Sequence, residues 1–199
     1  MSKTIDYYFT PVSPWTYLGH ARFSAIAAKA GATVRPRPVD YGKIFPVSGG
    51  LPLKQRPAQR QAYRLMELRR WRDALGLPLN IEPKHFPVDA GVASLMLTAS
   101  LAQGGEATMR LAGAMLHAVW AEERNLADRD TLIALAQSAG LDGRALLDAA
   151  HDTATAEAYA RHTAEAIGLQ VFGAPTYVYA GELFWGQDRL DFVERALAA

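Results

Sequence analysis

Cysteine is absent from all 199 residues, and that absence excludes more than any motif in the chain asserts. Disulfides, thiolate metal ligands and a cysteine nucleophile all go with it. Long apolar runs are missing as well: the longest helical patterns carry charges throughout, which excludes a membrane span. Neither sign of charge is in excess, since 21 Lys and Arg against 20 Asp and Glu leave a formal net charge of +1. Neither nucleic acid nor a membrane surface is therefore expected as a partner. The 5 histidines (His20, His85, His117, His151, His162) show no His-x-x-x-His or His-Glu-x-x-His spacing, so no metal site is expected. Ser13 has no Gly-x-Ser-x-Gly elbow around it, which leaves a hydrolase triad unsupported. Met1 to Asp6 carry no basic leader ahead of an apolar core, and a cytoplasmic location is the expectation.

What is present is an ordinary globular composition, 50% hydrophobic and 21% charged, in a chain long enough for one sizeable core and a second sub-domain. Residues 4–10, rich in β-formers, predict a first strand, and Pro14 to about Lys29 a helix that Gly31 stops. Thr33 to Val39 alternates and predicts a second strand, parallel to the first across the helix. Pro46 to Pro57 reads as a Pro/Gly-punctuated loop. Helices are then expected over 58–75, 90–103, 106–122, 129–139, 143–149 and 155–167. Thr176 to Ala180, a turn at Gly181-Glu182 and Leu183 to Trp185 predict a hairpin, and 188–197 a closing helix. A β-α-β unit, a helical block and a β-β-α end make an α/β protein of thioredoxin-like plan with a large all-helical insertion. The expected division is a thioredoxin-like part, 1–45 and 166–199, around an inserted helical domain, 46–165.

Three segments and one helix face carry candidate chemistry. Ser13-Pro14-Trp15-Thr16 follows the apolar run Tyr7-Tyr8-Phe9, which makes Ser13 the helix N-cap and Pro14 its first residue, with Val12 and Tyr17 placed as a hydrophobic staple. The same geometry aims backbone N–H groups and the positive end of the helix dipole at whatever lies beside Ser13. A thiol oxidoreductase would carry Cys-x-x-Cys here. Without cysteine the turn suits an anion, such as a thiolate, that the protein does not own. Gly173-Ala174-Pro175-Thr176 is either an ordinary proline turn or a cis-proline loop facing the first helix, where the Ala174 backbone can pair with an extended, peptide-like ligand. In Trp185-Gly186-Gln187-Asp188-Arg189, Asp188 is either the N-cap of the last helix or, with Gln187, the grip on an ammonium and carboxylate pair. Arg56, Arg60 and Arg64 fall i, i+4, i+8 on one helix face, which is either solvated or a basic wall for acidic groups of a ligand.

Ser13-Pro14-Trp15-Thr16-Tyr17-Leu18, Phe172-Gly173-Ala174-Pro175-Thr176 and Phe184-Trp185-Gly186-Gln187-Asp188-Arg189-Leu190, in this order and spacing, resemble the 2-hydroxychromene-2-carboxylate isomerase family. That family is grouped with kappa-class glutathione transferases and the DsbA-like branch of the thioredoxin fold. The resemblance implies a glutathione cofactor and the interconversion of 2-hydroxychromene-2-carboxylate with trans-o-hydroxybenzylidenepyruvate, so that the partner is a small aromatic carboxylate; it also implies a homodimer. By resemblance, Ser13 hydrogen-bonds the glutathione sulfur as the catalytic residue, the backbone of Ala174 beside Pro175 pairs with the cysteinyl part, and Gln187 and Asp188 hold the γ-glutamyl end. It also implies a polar residue near Gly49-Gly50, where this chain has Gly50, and a basic residue further on, for which Arg56 or Arg60 stands. Trp15, Tyr41, Phe45 and Trp71 are candidates for an aromatic wall against the substrate ring and equally for core. The alternatives are a kappa-like transferase or peroxidase acting on another electrophile, and a non-catalytic glutathione-binding protein.

Overall fold

The structure, a computed structural model, describes residues 3–199. Strand β1 (Thr4–Phe9) lies between β2 (Thr33–Pro38) and β3 (Thr176–Tyr179), with β4 (Glu182–Trp185) beyond β3. β1 runs parallel to β2, Thr4 opposite Thr33 and Phe9 opposite Pro38. A parallel neighbour requires a crossover, and helix α1 (Pro14–Lys29) supplies it. β1 is antiparallel to β3, with Ile5 opposite Tyr179 and Tyr8 opposite Thr176. Pro36 and Pro38 are tolerated because β2 is an edge strand. The β3–β4 hairpin turns on Ala180 and Gly181, both at positive φ (50° and 85°), one residue earlier than the sequence suggests. Two such residues give the turn whose twist matches that of the strands.

The remaining helices are α2 (Tyr41–Ser48), α3 (Ala58–Leu75), α4 (Gly91–Ser100), α5 (Gly105–Trp120), α6 (Arg129–Ser138), α7 (Gly143–Ala149), α8 (Thr153–Gly168) and α9 (Leu190–Ala198). The thioredoxin-like plan with helices between its two halves is therefore as the sequence predicts. Helix α2 is the main departure, because it runs through Pro46 where a loop is expected. Asp40 caps it, its Oδ1 accepting from the Gly42 N–H at 2.8 Å, and Tyr41 and Ile44 are buried. In so short a helix Pro46 deletes a single internal bond, which that burial offsets.

Side chains alternate across β1. Ile5, Tyr7 and Phe9 point into the larger core and Tyr8 into a smaller one formed with Val39, Tyr41, Ile44, Ala166, Val171 and Val178. The larger core is continuous from the sheet and α1 into the helical block, joining Ile5, Phe9 and Leu18 to Met96, Leu97, Leu111 and Met115. Helix α2 crosses residue 45 and α8 crosses residue 165, so the expected division follows chain order rather than a break in packing. Among the described residues no helix is long and apolar enough to cross a membrane.

His20 of α1 is held in that core, its Nε2 3.0 Å from the Met109 carbonyl and its Nδ1 3.3 Å from the Tyr7 hydroxyl. A carbonyl only accepts, so Nε2 carries the proton and Nδ1 accepts from Tyr7. Burial holds this imidazole well below its ordinary range, at about 4. The unfolded chain takes up a proton at His20 near pH ~6.5 and the folded chain does not, so stability falls as pH drops through that window. Between about pH 7 and pH 5 the loss at this residue is about 2 kcal/mol. The thermal midpoint should fall on acidification over this range, and fall less in His20→Gln. An equal acid shift in both proteins would contradict a buried neutral histidine.

Candidate functional site

Register brings three loops to one end of the sheet. Tyr8 faces Thr176 and Thr176 faces Trp185, so residues 10–13 after β1, 173–175 before β3 and 186–188 after β4 all emerge there. The segment 39–41 joins them, because β2 ends level with β1. Ligands in open α/β sheets bind at such strand ends.

Ser13 caps α1 as the sequence predicts. Its φ and ψ are −78° and 125°, its Oγ accepts from the Thr16 N–H at 3.2 Å, and Pro14 follows at the first helical position. The Tyr17 N–H donates to the Ser13 carbonyl at 3.0 Å. Pro14 has no N–H and those of Thr16 and Tyr17 are used, so Trp15 holds the one first-turn N–H without an intrahelical acceptor. Ser13 is 9% exposed, and among the described residues its hydroxyl hydrogen goes to no protein acceptor. Two donors thus lie at the positive end of the helix dipole, an arrangement that favours a negative charge.

The Ala174–Pro175 bond is cis. The loop is fixed from three sides: Gly173 C=O accepts from Tyr41 Oη at 2.8 Å and from Thr176 Oγ1 at 2.7 Å, and Gly186 N–H donates to Pro175 C=O at 2.9 Å. Burial pushes the Tyr41 hydroxyl far up, which keeps it a protonated donor. Gly173 has no room for a side chain, since a Cβ there would lie 2.3 Å from Trp185 Nε1. Trp185 packs against Phe172 with ring centroids 4.8 Å apart, and both residues are about half-exposed. The N–H and C=O of Ala174 have no backbone partner among the described residues, and an extended ligand could pair with them as with a strand edge.

At the third loop Gln187 is only 2% exposed, and its Oε1 accepts from Arg22 Nη1 at 3.1 Å, so its side chain is anchored inward. The close approach is permitted by Gly19, where a Cβ would meet Gln187 Cβ at 2.8 Å. Asp188 is not an N-cap: residues 187–189 form a 3-10 turn and α9 starts at Leu190. The Asp188 carboxylate is half-exposed, paired with Arg189 Nη1 at 2.7 Å and folded back over Gly186.

On α3, Arg60 is exposed while Arg64, one turn on, is part-buried over Phe86 and Trp120. The sequence singles out the face but not this difference, because Phe86 and Trp120 come from distant segments. Arg56 is half-buried, its Nε donating to Leu51 C=O at 2.8 Å. Of the candidate aromatic wall, Tyr41 is buried in the smaller core and Phe45 packs on it, while Trp15 and Trp71 line the larger core with part of each ring open. Among the described residues no group of three or more His, Asp or Glu could hold a metal ion.

A serine-capped helix and a cis-proline loop at one end of a β-α-β plus β-β-α sheet define a thioredoxin-fold protein in which serine stands where the redox pair would begin. The family model of the DsbA-like thioredoxin domain matches residues 4–198, and the chain belongs to that family. It is 29% identical over 198 residues to a 2-hydroxychromene-2-carboxylate isomerase of Sphingobium xenophagum, with 99% of each chain covered. It is 22% identical over 202 residues to glutathione S-transferase kappa 1 of Caenorhabditis elegans, covering 95% of this chain and 88% of that one. A solved 2-hydroxychromene-2-carboxylate isomerase superposes with a TM-score of 0.79 at 27% identity, over 98% of this chain and 94% of that one.

The hydrogen bond that ties α2 to the cis-proline loop is testable by itself. Tyr41→Phe should lower the unfolding free energy by about 1 kcal/mol in urea denaturation. An unchanged midpoint would mean that Tyr41 does not hold the loop.

Proposed function

We propose that the protein is a glutathione-dependent isomerase that interconverts 2-hydroxychromene-2-carboxylate and trans-o-hydroxybenzylidenepyruvate. The observation that carries this reading is Ser13: a hydroxyl and a free N–H at a helix N-terminus, in a chain without cysteine. The relatives named for that isomerase, matched along the whole chain, support it. Glutathione fits the residues present, since the site offers anion-stabilising donors beside an unpaired stretch of backbone at Ala174 and a half-exposed carboxylate at Asp188.

When bound, glutathione would supply a thiolate able to add reversibly to the conjugated alkene, which leaves a single bond about which the substrate can turn. The chain's residues provide the setting. The Ser13 O–H and Trp15 N–H donate to the sulfur and hold it as the anion, against an ordinary thiol pKa of ~8.5. The Ala174 backbone pairs with the cysteinyl part of the tripeptide, and Asp188 takes its ammonium group. Serine in place of cysteine also leaves no protein thiol with which glutathione could form a mixed disulfide. A reduced thiol cofactor suits a reducing compartment, the cytoplasm. The kappa-class relative favours a second reading, transfer of glutathione to another electrophile at the same site.

Purified protein with glutathione should convert the hydroxychromene to its ring-opened, conjugated isomer, followed by ultraviolet absorbance. Ser13→Ala should lower kcat about 10²-fold while leaving the glutathione Kd within a few-fold. No absorbance change would sink the isomerase reading, and conversion that needs no glutathione would sink the role of Ser13.

A further inference from the structure

We propose that the Arg64 guanidinium, seated against Phe86 and Trp120, is the binding group for the carboxylate of a planar aromatic acid. Arg64 is unlike its neighbours on α3. Arg70 pairs with Glu67 at 2.5 Å and Arg72 with Asp73 at 2.8 Å, whereas among the described residues no acceptor meets any donor of Arg64. Its Nη2 is buried and without a hydrogen-bond partner. Trp120 is fully buried, and its Nε1 also lacks an acceptor. Guanidinium and indole N–H groups only donate, so neither can satisfy the other. Arg56, the charged group that bears on Arg64, is another cation and deepens the deficit. Burial together with Arg56 lowers Arg64 from its ordinary range to about 10.

The missing partner is therefore an acceptor, preferably anionic, and a carboxylate matches the planar fork. The surroundings specify the rest of the ligand. Arg64 Cζ lies 5.3 Å from the Phe86 ring centre and 5.8 Å from that of Trp120, and the two rings are 4.7 Å apart. Trp120 is fully covered, so the part-exposed Phe86 ring is the surface beside the cation on which an aromatic acid would stack.

A short chain of contacts ties this place to the Ser13 helix. Tyr17, one turn after Ser13, donates through its hydroxyl to Pro78 C=O at 2.5 Å and lies 6.3 Å from His117 of α5. The Asn80 N–H donates to Trp120 C=O at 2.7 Å. The subsite deepens the proposed function by assigning where the substrate's carboxylate goes, and it rests on that reading for the identity of the natural ligand.

Calorimetric titration with cinnamate and with its neutral amide, in the absence of glutathione, tests it. Cinnamate should bind saturably and at least about ten-fold more tightly than cinnamamide, and the Trp120 indole N–H resonance should shift. Arg64→Gln should abolish that preference, Arg64→Lys should keep part of it, and Arg70→Gln, whose exposed guanidinium pairs with Glu67, should keep all of it. Equal binding of acid and amide, a preference that survives in Arg64→Gln, or no saturable cinnamate binding would each overturn the inference. If the preference depends on Arg64 but the hydroxychromene is not turned over, the proposed function fails and the subsite stands. Turnover with KM unchanged in Arg64→Gln would have the opposite meaning.

Discussion

The hydrogen bond from the Thr16 N–H to Ser13 Oγ fixes where α1 begins, and the rest of the site is arranged around that beginning. Because Ser13 takes up the Thr16 N–H, the helix starts without fraying, and the Trp15 N–H and the serine hydroxyl hydrogen remain for another group. The start is anchored by β1, an inner strand with Tyr7 and Phe9 fully buried and the Tyr7 ring stacked on Tyr177 at 5.4 Å. The register of β1 with β3, and of β3 with β4, then delivers the cis-proline loop and the Gly186 turn to the same end of the sheet. One helix cap and two strand registers suffice to place the site.

Most of this was legible in the sequence because its signals are local. Ser13-Pro14 marks a helix start, Gly31 a stop, and the alternation from Thr33 to Val39 a second strand; the observed α1 and α3 keep the expected bounds. What was not legible depends on groups that meet only after folding. Pro46 signals a loop, yet Asp40 and the burial of Tyr41 and Ile44 carry α2 through it. The inward turn of the Gln187 side chain depends on Gly19, which lets α1 approach, and on Arg22, which draws its amide in. Arg60 and Arg64 share one face in the sequence, and the rings of Phe86 and Trp120 alone make them different.

The distribution of charge gives the site its character. The helix N-terminus and the Ser13 hydroxyl present positive potential at the strand ends, Arg64 in the helical block is without a carboxylate partner, and the chain has no thiol. Under the proposed function, the anions come from the two ligands: the thiolate from glutathione and the carboxylate from the aromatic acid. The helices between the two halves of the sheet then select the electrophile, while the thioredoxin part holds the nucleophile. Their shared core keeps the two parts in fixed register, as a reaction between two bound molecules requires.

The central claim is that the chain provides an anion-stabilising helix start for a thiol it does not carry. Titrating the ultraviolet thiolate absorbance of protein-bound glutathione from about pH 5 to about pH 9 tests this most directly. The account predicts a midpoint well below the ~8.5 of a free thiol, returning towards it in Ser13→Ala. A bound thiol that titrates where the free one does would contradict it.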